Sequence, residues 1–124
     1  LSRAWLEQAI KELTSENASQ IADVKFILLF GSTARLEDRK ESDVDLLIAV
    51  DNNAEEFGKY AGKTIKPRLE ALSGKTFSLH VAPLNEFKSK WLKEPFYATV
   101  WRDHISLYGD ENFWKQILEL GEPK

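Results

Sequence analysis

The chain has no cysteine, which excludes disulfides, thiolate nucleophiles and Cys-type zinc sites. It has no excess of basic residues either: 17 Lys and Arg stand against 20 Asp and Glu, a formal net charge of −3. A protein that coats nucleic acid usually shows a basic face, and no Lys/Arg stripe is evident, so nucleic acid is not an expected partner. No apolar run approaches about 18 residues, so no membrane span is expected. Leu1 leads straight into an amphipathic segment, not into a signal peptide. These absences favour the cytoplasm. No repeat, low-complexity tract or linker divides the 124 residues, a length that suits one domain around one core.

What is there is periodic. Ala4, Trp5, Ala9, Ile10 and Leu13 recur at helical spacing, predicting a helix over 3–16. Val24 to Phe30 is a short apolar run ended by Gly31 and reads as a strand; Asp43 to Val50 reads as a second. Ser32 to about Leu36 can begin a helix, and the charged stretch up to Ser42 reads as a loop. Ala54 to Leu72 is helical in period, with Pro67 expected to kink or restart it. Phe77, Leu79 and Val81 alternate with Ser78, His80 and Ala82, a third strand. Helices are expected near 84–92, 96–103 and 111–120, with a short segment at 105–108. The fold class is α/β: a small mixed β-sheet with helices mainly on one face, a core over about 20–83 and a C-terminal helical part over about 84–124.

The chemistry concentrates in LLFGSTARLEDRKESDVDLLIAV, residues 28–50. Side chains two apart in a strand point the same way, so Asp43 and Asp45 project together near the start of an apolar strand. Adjacent carboxylates repel, and a divalent cation reverses that sign. Mg²⁺ is held by one or two carboxylates together with substrate phosphates, so the pair suits a Mg²⁺-triphosphate. Gly31 and Ser32 supply the other half: glycine allows the backbone close to a ligand, and a helix starting at Ser32 would aim free N–H groups at an anion. Arg35, one turn on, would reach either a phosphate or the acidic pair. Glu37, Asp38 and Glu41 read as a solvated charge run. Phosphoryl and nucleotidyl transfer need chiefly positioning and charge neutralisation, which such a site provides.

Gly31-Ser32, ten intervening residues and then Asp43-x-Asp45, in the frame GSTAR…SDVDLLI, resembles the minimal nucleotidyltransferases (MNT) of the DNA polymerase beta superfamily, of the antitoxin type. The resemblance covers residues 26–50 closely and, through element order and the closing ISLYG, most of the chain loosely. It implies a polymerase-beta-like nucleotidyltransferase fold and a transfer of a nucleotide, AMP from ATP, onto a hydroxyl acceptor with release of pyrophosphate. Gly31, Ser32 and Arg35 would bind phosphates; Asp43 and Asp45 would be catalytic and bind one or two Mg²⁺ ions. It further implies, for stand-alone versions of this size, an antitoxin role, with a HEPN-type toxin protein as acceptor. It leaves a homo-oligomer open.

One element departs from that pattern. Active members carry a third carboxylate on a later strand, and the polar face here offers Ser78, His80 and Ala82. His80 is then either the base in its place, imidazole being the side chain that exchanges protons near neutral pH, or a packing residue of the sheet. Glu86, just beyond the strand, is an outside candidate; His104 reads as a surface or turn residue. A nucleotide-binding or regulatory protein-interaction module with weakened catalysis is the alternative reading. Seven of the fourteen aromatic residues follow residue 90. They read mainly as core, with Trp91, Phe96 and Trp114 expected to be the most exposed, and either a partner interface or base stacking open to them.

Overall fold

The computed structural model describes residues 4–31, 34 and 43–123. Two sequences dominate the architecture: VKFILLF forms β1 (Val24–Phe30) and VDLLIAV forms β2 (Val44–Val50). Near-continuous apolar runs of this kind suit strands covered on both faces. Both lie in the middle of a four-stranded sheet of order β3-β2-β1-β4, with β3 at Phe77–Pro83 and β4 at Ile105–Tyr108. β1 runs antiparallel to β2 and to β4, while β2 and β3 are parallel, so the sheet is mixed.

The α/β class and mixed sheet expected from the sequence are what the chain adopts, and the helices divide between two faces. On the first lie α1 (Ala4–Leu13), the single turn α2 (Glu16–Ser19), α3 (Ala54–Tyr60) and α4 (Lys66–Ser73). Trp5, Leu13, Phe57 and Leu69 from these helices cluster with Ile27, Leu29, Leu46 and Ile48. On the second lie α5 (Leu84–Lys90), α6 (Pro95–Arg102) and α7 (Asp110–Leu120). Phe87, Val100 and Phe113 from these, with Trp91 just after α5, cluster with Phe26, Leu28, Leu47 and Ala49. Coverage is therefore two-sided where the sequence reading placed helices mainly on one side. The physical reason is the period of β1 and β2: with both side-chain sets apolar, either face left bare would expose several large residues, each worth roughly 1.5–3 kcal/mol when buried.

The C-terminal aromatics mostly seal that second face. Trp91 is fully buried, contrary to the expectation of exposure, and its Nε1–H donates to the carbonyl of Gly121 at 2.8 Å. A buried indole needs such a partner for its one polar atom. Phe96 is half-buried, and Trp114 is exposed as expected. Pro67 restarts the helix: α3 passes through a π-helical turn at Ala61–Ile65, and Pro67 falls in the first turn of α4, where a missing N–H is tolerated.

Candidate functional site

The site is built at one end of the two central strands. β1 ends at Phe30, which pairs with Asp45 of β2. Gly31 follows with φ +78°, and a Cβ placed on it would stand 2.8 Å from Oδ2 of Asp45. Both facts require glycine: the backbone angle is one that L residues rarely adopt, and the space a side chain needs is taken by a carboxylate. The sharp end of the first apolar run thus brings bare main chain directly against the acid of the second.

Alternation settles which way Asp45 points. Phe30 and Leu47 belong to the cluster beneath α5–α7, so Asp45 between them in the ladder shares that face. Asp43 precedes β2 by one residue and is exposed. The next residue, Val44, donates its N–H to the Thr76 carbonyl at 2.8 Å and opens the parallel ladder with β3, so Asp43 stands immediately outside the paired residues, two positions before Asp45.

The third strand adds its polar side. Ser78 stands across from Asp45, and His80 across from Leu47. Nε2 of His80 lies 3.9 Å from Oδ1 of Asp45, within ion-pair range and beyond a hydrogen bond. The two side chains are 43% and 28% exposed, so a soluble ligand can reach both. Two rings flank the imidazole: Phe30 at 5.5 Å between centroids and Phe96 of α6 at 5.2 Å. Phe30 and Phe96 also meet each other edge-on at 5.5 Å. No sequence signal placed Phe96, one of the aromatics open to a partner interface or base stacking, against His80. It lies outside the motif and sixteen positions from His80, so no local pattern connects them.

Ser32 and Arg35 lie outside the described residues. Glu86 is brought elsewhere. It pairs with Lys90 at 2.6 Å and, with Asp51, Glu55 and Pro83, lines a cavity of about 710 Å³ at the far end of β3. The parallel register separates that end from Asp45 by the length of the strand: Asp45 aligns with Ser78, whereas Val50 aligns with Pro83. His104 is structural, its ring stacked on Trp101 at 5.0 Å and its Nδ1 2.8 Å from the Trp101 carbonyl.

The donor set bears on which ion would fit. Among the described residues no group of three or more His, Cys, Asp and Glu could hold a metal by itself. Asp43 and Asp45 carry hard carboxylate oxygens, Asp43 exposed and Asp45 28% exposed beside the Gly31 main chain. That fits an ion completing its shell from phosphate oxygens and water, as Mg²⁺ does, and does not fit an all-protein cage.

Comparison with known proteins agrees with this architecture. A crystal structure described as a toxin-antitoxin with AMP-PNP contains a chain that superposes with a TM-score of 0.55. The match covers 96% of this chain and 86% of that one at 14% sequence identity, a likeness that establishes the fold alone. Among curated proteins, none matches. The family model for the nucleotidyltransferase domain matches residues 6–108, from within α1 to the last residue of β4. That span takes in all four strands together with Gly31, Asp43, Asp45 and His80, and the chain belongs to the nucleotidyltransferase domain family.

Proposed function

We propose that this protein transfers AMP from Mg²⁺-ATP to a hydroxyl of another molecule. The observation that carries the reading is the packing of Gly31 main chain against the Asp45 carboxylate, with Asp43 two positions earlier, just before β2. A triphosphate approaching the Gly31 turn would meet a residue without a side chain of its own, beside the Asp45 carboxylate. In this reading Gly31, with Ser32 and Arg35, holds the phosphates, and Asp43 and Asp45 hold one or two Mg²⁺ ions. A bound Mg²⁺ would offset the negative charge that builds on the phosphates during transfer.

The remaining work falls to the chain's own residues. The acceptor oxygen forms a bond to the α-phosphorus as the bond from that phosphorus to the β-phosphate bridging oxygen breaks. Pyrophosphate leaves with the bonding pair. The proton of the attacking hydroxyl passes to a base, and we assign His80, beside Asp45 and open to solvent, to that role. The acceptor we propose is a HEPN-type toxin protein, with this chain as the antitoxin that modifies it in the cytoplasm. The family membership and the toxin-antitoxin neighbour with AMP-PNP support this.

A second reading is favoured by one observation. The third strand presents Ser78 and His80 where a carboxylate would be useful, which suits a module that binds nucleotide and has weakened catalysis. Calorimetric titration of Mg²⁺-ATP, beside an Asp43→Asn/Asp45→Asn variant, tests the site. Metal-dependent binding that the variant loses supports both readings, and no binding at millimolar ATP removes both. Transfer of label from α-labelled ATP to a co-purified toxin separates them.

A further inference from the structure

Three rings close a triangle at the edge of the site. Phe96 meets His80 at 5.2 Å with planes at 42°, and Phe30 at 5.5 Å and 87°; Phe30 meets His80 at 5.5 Å and 53°. Phe30 is held in turn by the sheet, being nearly buried, and Phe96 by Tyr97, edge-on at 5.1 Å. An exposed histidine on an edge strand would otherwise exchange among several rotamers. Here two of its sides are walled by rings, and Nε2 lies toward Asp45.

We propose that Phe96 is a positioning residue: together with Phe30 it fixes the His80 imidazole with Nε2 toward the Asp45 carboxylate, so that a histidine on the third strand can act where a carboxylate is missing. This rests on the nucleotidyl transfer proposed above and adds to it a requirement on α6, an element with no residue in the motif. A misplacement of about 1 Å at a reacting group costs on the order of a hundredfold in rate, so an anchor for a mobile ring is a functional requirement.

The test uses the intact protein with Phe96→Leu and Phe96→Tyr, each checked for folding by urea denaturation. The first readout is the pair of Hα–Hβ couplings of His80 measured by NMR, which report rotamer averaging and need no activity. In the parent they are expected to show one dominant rotamer. Phe96→Leu should move them toward the averaged values of a mobile side chain, and Phe96→Tyr should restore the parent pattern. The second readout is transfer: Phe96→Leu should lose at least about tenfold in rate while Mg²⁺-ATP affinity stays within about twofold, with Tyr recovering the loss. Unchanged His80 couplings in Phe96→Leu would overturn the proposal, as would a parallel loss of rate and affinity. A parent protein with no transfer at all would remove the proposed reaction, and the couplings would still decide whether Phe96 orients His80.

Discussion

The α-carbon of Gly31 faces the carboxylate of Asp45 so closely that a methyl group on it would stand 2.8 Å from Oδ2. Two residues fourteen apart in sequence are thereby locked into one feature, a turn whose main chain is bare where the acid is. Gly74 offers the comparison, with φ +72° and nothing within 4 Å of where a Cβ would be.

Gly31→Ala should therefore destabilise more than Gly74→Ala. The second carries only the backbone cost of a left-handed alanine, about 1 kcal/mol. The first adds a contact from which the end of the Asp45 side chain must turn aside, for a total of roughly 1–2 kcal/mol. Urea denaturation of the two variants measures the difference, and equal losses would mean that Asp45 yields freely. Displacing Asp45 should also weaken Mg²⁺-ATP binding in Gly31→Ala and leave it intact in Gly74→Ala.

His80→Ala separates binding from transfer. With Asp43, Asp45 and Gly31 untouched, Mg²⁺-ATP affinity should persist, while transfer should fall by about 10²–10⁴, the range for loss of a positioned base. Calorimetry and label transfer on one preparation give both numbers. Full activity in the variant would return His80 to the role of a sheet residue. Chelation with EDTA should abolish binding in parent and variant alike.

The aromatic C-terminal part should divide sharply on truncation. Trp91→Ala leaves a cavity beneath α5 and α6 and orphans the Gly121 carbonyl, which should cost about 3–5 kcal/mol. Trp114→Ala removes a ring that is 42% exposed and should cost under about 1 kcal/mol. Comparable thermal shifts for the two would contradict the buried position of Trp91.

Asp51 gives a pH dependence with a defined sign. Burial acts to raise its proton affinity, and the N–H groups of Asp23 at 2.9 Å and Asn52 at 2.7 Å outweigh that, holding its carboxyl below the usual 3.8. A carboxyl depressed in the folded state stabilises the fold above 3.8, and that contribution is lost as pH falls through the lower folded value. Asp51→Asn keeps an acceptor oxygen and removes the charge. Its stability deficit against the parent should be present at pH 6 and shrink to nothing in strong acid; a deficit constant with pH would assign the effect to packing. Because the side chain is exposed, the effect should be small.

Several elements were legible in the sequence because their determinants are local. The run ending at Gly31 bounds β1, the alternation in FSLHVA sets which side of β3 carries His80, and the apolar run after Asp43 marks β2. The two-sided covering was not expected, although the lack of alternation in VKFILLF and VDLLIAV points to strands without a wet face. Trp91 misled because an indole carries a polar N–H that suits exposed and buried positions equally. Only the approach of Gly121, thirty residues on, decides for burial.

The amino-acid sequence by itself determined β1, β2 and β3 and the glycine that ends the first run. Each follows from a period of two or from a backbone angle, which neighbours along the chain impose. The tertiary structure alone decided that Asp45 lies against Gly31, that His80 comes within 3.9 Å of Asp45, and that Phe96 closes on His80 from a helix. These are contacts between elements, fixed by sheet order and by which face each helix covers. They arise when burial of both sheet faces draws distant segments together, and no spacing along the chain encodes them.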